Sequence, residues 1–344
     1  MTDVEKALSI EDNFARYKHV KSILIKGNEN VNPKVSICIP TYKRVNTLRE
    51  TIDSCFEQVG FNDYVIIVSD NNPERNDETE KYIKSIDSDK LLYYKHEENI
   101  TMFGNLNRIY ELSKSEYTVC IHDDDLLFPH FLCICMDTLI KHPEIDMLYP
   151  QKETWYCGKE DKPIECLHSR IKIYKNSIID CIFGNAYPPT GTIMRTKQFI
   201  KIGGFDFSSY PSNDYYFNAK AFRLLKTYTL CEKLYVYRFG VNTSLKIETI
   251  LGFIHRDIPL LRYILNFNII FRLIRQPIIS HHYLYYKKYL MKQHPEFDIS
   301  SLDSLLGEDI KCSNLSMCIT QKLMSWYIRA KHLFYLKSAT TFKK

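Results

Sequence analysis

The chain lacks any long hydrophobic run. No stretch reaches the roughly 18 to 20 uninterrupted apolar residues that a membrane-spanning helix needs. Residues 1–16 are acidic and polar, and they lack the hydrophobic centre of a secretory signal peptide. We therefore expect a cytoplasmic protein without a transmembrane helix.

The chain also lacks the cysteine spacing of a zinc site. Its 11 cysteines are scattered, Cys133 and Cys135 form the one close pair, and no double Cys-x-x-Cys pattern occurs. We expect free, mostly buried thiols in a reducing compartment. The net charge of +5 is too small to indicate a nucleic-acid-binding protein, so we expect no nucleic-acid partner.

Strand-like and helix-like segments alternate from residue 34 onward. The strand-like runs are apolar with little alternation, which is typical of strands buried on both faces. Their order predicts an α/β fold in which helices flank a mainly parallel sheet. The predicted strands are 35–40, 64–69, 91–95, 117–121, 147–157, 190–195 and 227–238, and the predicted helices are 45–58, 77–86, 102–113, 128–142, 196–202 and 214–225.

Composition divides the chain into three parts. Residues 1–33 are a polar, partly helical lead-in, 34–245 form the strand-and-helix domain, and 246–344 are a helical, basic C-terminal region. Residues 259–275 are the clearest helical segment of the last part, with an imperfect apolar face and several arginines. Two interpretations stay open: this segment packs on the domain, or residues 259–292 contact an anionic membrane surface.

Three consecutive carboxylates, Asp123, Asp124 and Asp125, follow the apolar run 117–121. A run of β-branched and aromatic residues that ends at polar ones is typical of a buried strand reaching the edge of its sheet, where α/β proteins bind ligands. Three like charges repel one another unless a cation or hydrogen-bond donors offset them. Carboxylate oxygens suit Mg²⁺ or Mn²⁺. The alternative to a metal site is a solvated acidic turn. For His122, which precedes the triplet, we favour a structural role at the end of the strand.

Polar segments follow other predicted elements in the same way. Lys43 and Arg44 come after the first strand, where their cations are available to phosphates. Each of these segments is weak evidence by itself, because turns are rich in Asp, Asn and Gly. The segments are Pro40-Thr41-Tyr42-Lys43-Arg44, Ser69-Asp70-Asn71-Asn72, Asn99 with Gly104-Asn105, and Gly203-Gly204-Phe205-Asp206 followed by Asn213-Asp214.

Taken together, these motifs resemble the family-2 inverting glycosyltransferases, whose nucleotide-sugar-binding domain has the Rossmann-related GT-A fold. The resemblance covers about residues 35–244. It implies that Asp123 and Asp125 form the family's DxD signature, with Asp123 on the ribose side and Asp125 holding Mn²⁺ or Mg²⁺. It further implies a nucleotide-sugar site formed by Pro40, Thr41, Tyr42, Arg44, Asp70, Asn99, Asn105, Asp123 and Asp124.

The acceptor side of the motif departs from the family's pattern. An acidic pair usually follows the Gly-Gly-Phe-Asp segment, and here it is Asn213-Asp214, so the resemblance implies Asp214 as the catalytic base. The family often carries a His after an Arg such as Arg238, whereas this chain continues with Phe239 and Gly240 towards Ser244. Whether this segment supplies a metal ligand therefore stays open.

The resemblance implies metal-dependent, inverting transfer of a sugar from a nucleoside-diphosphate sugar, expected to be a UDP-sugar. The expected acceptor is a hydroxyl of a glycan or lipid-linked saccharide in capsule or O-antigen synthesis, at the inner face of the cytoplasmic membrane. One alternative is a sugar-phosphate nucleotidyltransferase, but residues 40–44 contain no glycine for its phosphate loop. A non-catalytic sugar-binding homologue and a metal-dependent nuclease are further alternatives.

Overall fold

The computed structural model describes residues 2–158, 161–184, 186–240, 246–298, 314–333 and 335–337. These residues form a sheet covered by helices on both faces. The strands are β1 (Ser22–Lys26), β2 (Val35–Thr41), β3 (Tyr64–Asp70), β4 (Leu91–His96), β5 (Tyr117–Cys120), β6 (Leu126–Leu127), β7 (Met147–Tyr156), β8 (Lys172–Lys175), β9 (Thr192–Arg195), β10 (Thr227–Phe239) and β11 (Leu336–Lys337).

The helices follow the predicted positions closely up to residue 225. They are α1 (Asp3–Ala7), α2 (Val45–Phe56), α3 (Glu78–Ser85), α4 (Thr101–Leu112), α5 (Phe131–Lys141), α6 (Thr196–Lys201), α7 (Asn213–Leu224), α8 (Ile247–Leu265), α9 (Ile269–Leu273), α10 (Arg275–Gln293) and α11 (Asn314–Leu333), with 3₁₀ helices at Ala15–Tyr17 and Ile178–Phe183.

The strands lie in the order β1-β4-β3-β2-β5-β9-β7-β10-β8-β11, and β6 pairs with β10. Strands β4, β3, β2 and β5 are mutually parallel, as the alternation of strands and helices predicts. Antiparallel strand β9 joins this group to the parallel pair β7 and β10. The α/β fold class is confirmed, and the sheet is mixed outside its parallel centre.

Each central strand contributes side chains to both faces of the sheet. Ile37 and Ile39 pack with α2, α3 and α5, whereas Cys38 packs with α4, α6 and α7 on the other face. Burial on both faces explains the continuous apolar character of these strands. The same arrangement brings the carboxyl ends of β2, β3 and β5 to one edge of the sheet.

Both ends of the described chain add strands to the sheet. In the lead-in, β1 pairs antiparallel with β4, and near the C-terminus β11 pairs antiparallel with β8. The sequence analysis did not predict either strand. The boundaries at residues 33 and 245 stay predictions, since the sheet itself continues across both.

The prediction of one helical segment over 259–275 is wrong. Helix α8 begins earlier, at Ile247, and ends at Leu265, and the short α9 follows a break at residues 266–268. Asn266 and Asn268 flank the break, and asparagine side chains compete with the helical backbone for hydrogen bonds. The apolar face of α8 is buried against the core of the sheet domain, and Leu260, Leu261 and Ile264 are inaccessible. Among the described helices, none is long and apolar enough to cross a membrane.

Candidate active site

A cleft of about 530 Å³ opens at the carboxyl ends of β2, β3 and β5. Its walls also include residues of α4, the first turn of α7 and the helix α8. Open α/β sheets bind ligands at this position. The cleft is lined by Pro40, Thr41, Tyr42, Arg44, Asn71, Asn99, Met102, Phe103, Asn105, Leu106, His122, Asp123, Asp124, Pro188, Pro189, Tyr210, Pro211, Asp214, Tyr237, Thr249 and Phe253.

Two residues of the Pro-Thr-Tyr-Lys-Arg segment, Thr41 and Arg44, bind Asp123. The Thr41 hydroxyl donates to its Oδ2 at 2.7 Å, and Arg44 Nη1 donates to its Oδ1 at 3.1 Å. Arg44 Nη1 also lies 2.9 Å from Oδ2 of Asp124. Burial raises the pKa of Asp123 to about 6 although Arg44 and Thr41 lower it. Arg44 therefore connects two of the three carboxylates and keeps negative charge at the cleft.

Asp125 lies behind the cleft rather than in its lining. Its Oδ2 accepts a hydrogen bond of 2.7 Å from the Thr190 hydroxyl, and its Oδ1 accepts one of 2.8 Å from the Arg238 backbone N–H. The side chain is fully buried. Burial, followed by the charge of Asp124, raises the pKa of Asp125 to about 8. The backbone of Arg238 is thus hydrogen-bonded to the Asp triplet.

Three side chains at this end of the cleft form a donor set for a divalent cation. Ligand atoms of His122, Asp124 and Asp125 all lie within 4.8 Å of one another. The two carboxylates suit Mn²⁺ or Mg²⁺, and burial lowers the pKa of His122, which favours the neutral form of an imidazole that can bind a metal. The sequence analysis favoured a structural role for His122, so its place in this cluster was missed. The assignment of Asp125 as the metal ligand stays a prediction.

Asp70 lies at the end of β3 but points into a buried network. It accepts hydrogen bonds from the Tyr93 hydroxyl at 2.6 Å and the Asn72 N–H at 2.9 Å, and Lys95 Nζ lies 3.1 Å away. Burial raises the pKa of Asp70, and these three donors oppose the shift. Asn71, the next residue, lines the cleft instead. A contact between Asp70 and the nucleotide base stays a prediction.

Amide side chains fix the start of α4 against the end of β3. Asn71 Nδ2 donates to Asn99 Oδ1 at 3.2 Å, and its Oδ1 accepts from the Ile100 N–H at 2.8 Å. Asn105 Nδ2 donates to the Ser69 carbonyl at 2.9 Å while its Oδ1 accepts from the Ser69 hydroxyl at 2.7 Å. The predicted residues Asn99 and Asn105 therefore both line the cleft and shape its wall.

Lys43 and Tyr42 differ from the rest of their segment. Tyr42 lines the cleft and is 45% exposed, and Lys43 lies outside the lining. Lys43 has a φ of 54°, in the left-handed region, and its Nζ lies 3.9 Å from Glu74 in an exposed ion pair. A role for Lys43 in holding phosphate gains no support from this position.

The Gly-Gly-Phe-Asp segment folds into a tight turn between α6 and α7. Gly204 has a φ of +67°, and a Cβ there would lie 2.6 Å from Oδ1 of Asn107. Asn107 binds both the N–H and the carbonyl of Phe205, at 2.8 and 3.0 Å. Lys220 is buried and donates to the Gly204 carbonyl at 2.9 Å. These contacts place the turn, and with it the first residues of α7.

Asp214 is in the first turn of α7 and lines the cleft together with Asp123 and Asp124. Its Oδ1 accepts a hydrogen bond of 2.8 Å from the Tyr215 N–H. A carboxylate is also stabilised at this position by the helix dipole. The structure thus brings the predicted catalytic residue into the same cleft as the Asp triplet, from a segment about 90 residues away.

Comparisons with known proteins agree with this geometry. The model of the family described as Glycosyl transferase family 2 matches residues 36–203. An uncharacterised glycosyltransferase of Rickettsia prowazekii is 28% identical over 205 residues, which are 57% of this chain and 61% of that protein. The chain spans between 16% and 61% of the length of three such Rickettsia proteins.

Solved structures show a similar fold. S. aureus TarS in complex with UDP-GlcNAc is 16% identical with a TM-score of 0.55, over 75% of this chain and 73% of that one. A mannosyltransferase from Pyrobaculum calidifontis in complex with GDP-Man and Mn²⁺ is 13% identical with a TM-score of 0.50, over 93% of this chain and 91% of that one. At these identities the comparison establishes the GT-A fold.

Proposed function

We propose that the protein transfers a sugar from a nucleoside-diphosphate sugar to an acceptor hydroxyl, with inversion at the anomeric carbon, because residues 36–203 match the model of the family described as Glycosyl transferase family 2. The observation that carries the proposal is the cleft, which Asp123 and Asp124 line together with Asp214. One site thus holds a set of groups for a leaving diphosphate and a separate carboxylate for the acceptor.

The donor occupies the end of the cleft formed by Arg44, His122 and Asp124. A divalent cation, Mn²⁺ or Mg²⁺, would be held there by His122, Asp124 and Asp125 and would supply positive charge to the leaving diphosphate. Arg44 adds a fixed guanidinium to the same end. Thr41, Asn71 and Asn105 line the same side of the cleft, and their polar groups orient the donor.

Asp214 acts as the general base. As the acceptor oxygen forms its bond to the anomeric carbon, its proton passes to the Asp214 carboxylate. The bond from that carbon to the diphosphate oxygen breaks, and its electron pair leaves with the nucleoside diphosphate. A single displacement of this kind inverts the anomeric configuration.

We propose a UDP-sugar as donor and a glycan or lipid-linked saccharide as acceptor, in capsule or O-antigen synthesis. Support for the nucleotide comes from the fold shared with TarS, whose structure contains UDP-GlcNAc, although the mannosyltransferase neighbour binds GDP-Man. Tyr210, Tyr237 and Phe253 also line the cleft, and aromatic rings suit the apolar face of a sugar.

We also propose that the C-terminal region contacts an anionic membrane near a lipid-linked acceptor. The support is local to α9. Ile269 and Leu273 are 75% and 80% exposed, and the arginines Arg272 and Arg275 are exposed beside them. Both arginines bond to the neutral Asn266, at 3.2 and 3.3 Å, so their charges remain available to a surface. Exposed apolar residues flanked by arginines suit the membrane interface.

The experiment that tests the transfer reaction uses purified protein, Mn²⁺ and a panel of nucleotide sugars, with release of nucleoside diphosphate as the readout. Asp214→Asn should lower turnover by roughly 10²-fold or more, as expected for loss of a general base, while calorimetric donor binding stays nearly unchanged. Glu248→Gln, an exposed acid in the first turn of α8, is the matched control and should behave as wild type.

Equal loss of donor affinity and turnover in Asp214→Asn would contradict the proposed role of Asp214. Release of nucleoside monophosphate or pyrophosphate from the donor would instead indicate nucleotidyl chemistry.

A further inference from the structure

Helix α8 forms one wall of the cleft and continues past it. Thr249 and Phe253 line the cleft, and Asp257 lies one helical turn beyond Phe253 on the same face. The helix lies close to the segment before α7, because a Cβ on Gly252 would be 2.6 Å from Cδ of Pro211. Asp257 therefore lies near the first turn of α7, and it is only 2% exposed.

A cluster of buried polar groups lies at this contact. Ser212 and Asn213, which directly precede Asp214, are as deeply buried as Asp257. Within the described residues, Oγ of Ser212, Oδ1 of Asn213 and Oδ1 of Asp257 have no hydrogen bond of normal geometry, although the Ser212 hydroxyl is close enough to Asp257 to lower its pKa. The Tyr286 hydroxyl of α10 donates to Oδ2 of Asp257. Buried polar atoms without such a bond are rare, and three of them beside a catalytic carboxylate call for a functional explanation.

Among the described residues, no cation is close enough to Asp257 to lower its pKa. Burial raises the pKa of Asp257 to about 7; the charge of Asp214 raises it as well, and the hydroxyls of Ser212 and Tyr286 lower it. The titratable and charged groups around Asp257 come from three helices: Asp214, Tyr215 and Tyr216 from α7, Arg256 from α8, and Tyr286 from α10. Asp3 of α1 and Asp206, which precedes α7, act on the neighbouring Tyr216.

We propose that Asp257 is a positioning residue for Asp214. Through Asp257, the C-terminal helices control how strongly Asp214 binds a proton. The inference rests on the proposed role of Asp214. An ionised Asp257 adds a buried negative charge near Asp214 and so strengthens its hold on the proton that the acceptor releases. A protonated Asp257 adds no negative charge near Asp214. Turnover is therefore slower when Asp257 carries its proton.

The kinetic test compares the pH profiles of wild type, Asp257→Asn and Tyr286→Phe in the full chain. Asn keeps the shape of Asp but cannot ionise. At pH 8 the kcat of Asp257→Asn should be about 3- to 10-fold below wild type, and at pH 6 within about twofold, with donor KM unchanged. Tyr286→Phe removes a hydrogen bond that lowers the pKa of Asp257, so the wild-type rise in kcat should move to higher pH.

The ratio of variant to wild-type kcat cancels ionisations that the proteins share. Ratios that do not change with pH would overturn the inference, whatever their size, because a purely structural Asp257 lowers kcat equally at every pH. If Asp214→Asn is as active as wild type, the proposed function falls and this inference falls with it. Flat ratios together with an inactive Asp214→Asn overturn this inference alone.

Thermal unfolding gives a second readout that needs no substrate. In the folded protein Asp257 keeps its proton up to about pH 7, whereas the unfolded chain releases it near the ordinary carboxyl value of 3.8. This difference stabilises the folded state at low pH and is lost as the pH rises through about 7. The Tm of Asp257→Asn relative to wild type should therefore increase from pH 4 to pH 8. A constant difference in Tm would show that Asp257 does not titrate in this range and would overturn the inference.

Discussion

Asp124 and Asp125 are neighbours with different surroundings, and this difference separates two roles. Asp124 lines the cleft and shares Arg44 with Asp123. Asp125 is fully buried, and each of its oxygens already accepts a hydrogen bond from a residue far along the chain. Replacing Asp124 should therefore affect the cation chiefly, whereas replacing Asp125 should affect the cation and the fold together.

We predict that Asp124→Asn weakens Mn²⁺ binding by about 10-fold or more with little change in Tm, because it removes one charged ligand. Asp125→Ala should weaken Mn²⁺ binding and also cost about 1–3 kcal/mol of stability, since the donors of Thr190 and Arg238 lose their acceptor. Titration of Mn²⁺ by electron paramagnetic resonance and thermal unfolding measure the two effects.

Asp53→Asn, on the exposed side of α2, is the control and should match wild type in both measurements. Unchanged Mn²⁺ affinity in both Asp124→Asn and Asp125→Ala would show that the cation binds elsewhere in the protein.

The sequence indicated several residues that the structure brings to one cleft, and their roles stay predictions. The Asp triplet, Asn99, Asn105 and Asp214 were all expected near one edge of the sheet, because strand ends and helix starts mark that edge. The sequence did not indicate that Asp70 pairs with Lys95 and Tyr93, or that His122 joins the acidic cluster. Those contacts depend on side-chain direction at the strand end, which a one-dimensional pattern does not encode.

At the scale of elements, the buried parallel strands were predicted within one or two residues and the edge strands were missed. Strands β6 and β11 have two residues each, too short for any periodic signal. Strand β1 is partly exposed along its length and lies in a polar lead-in. The single helix expected over 259–275 is two helices, because the apolar pattern continues across Asn266 where the backbone does not.

The contact between α7 and the Gly-Gly-Phe-Asp turn supports a prediction about pH. Burial lowers the pKa of Lys220 to about 8, while the charges of Asp206 and Glu11 oppose the shift. Between about pH 8 and the ordinary lysine value of 10.5, the unfolded chain binds a proton that the folded protein has released. Stability contributed by this group must therefore rise with pH in that interval.

We predict that the free energy of unfolding of wild type increases relative to Lys220→Met from pH 8 to pH 10, by at most about 1.4 kcal/mol for each pH unit. Urea denaturation at several pH values measures it. Lys201→Met, an exposed lysine at the end of α6, should track wild type. A difference between wild type and Lys220→Met that does not change with pH would mean that Lys220 keeps its ordinary pKa.

At the scale of the whole molecule, segments outside the family 2 match support the site from both ends of the chain. Asn13 of the lead-in donates to the Gly203 carbonyl at 2.9 Å, and Arg108 of α4 donates to the carbonyls of Tyr17 and Val20 at 2.8 and 2.9 Å. From the other end, α8 contributes Thr249 and Phe253 to the cleft. The Asp214 half of the site is thus assembled from parts that are distant in the sequence.

The proposed membrane contact of the C-terminal region is confined to a few exposed residues. The sequence analysis left open whether the apolar face of α8 packs on the domain or contacts a membrane. This face is buried in the core, so a membrane contact must use the exposed residues after α8. Ile269 and Leu273 of α9 are such residues, and Phe267 before them is 54% exposed. Each nearby arginine adds about 1 kcal/mol of attraction to an anionic surface, weakened as salt rises.

We predict that wild type co-sediments with liposomes rich in phosphatidylglycerol at low salt and is released as salt increases. Ile269→Glu/Leu273→Glu should reduce the bound fraction at least about 10-fold, because it removes the apolar contact and adds repulsion, and Arg272→Glu/Arg275→Glu should abolish the salt dependence. Ile164→Glu is the matched control, since Ile164 is 88% exposed but lies far from α9 in the sequence, and it should bind as wild type does. Wild-type protein that stays in the supernatant even at low salt would show that α9 is an ordinary surface helix, and the acceptor would then have to reach the cleft from solution.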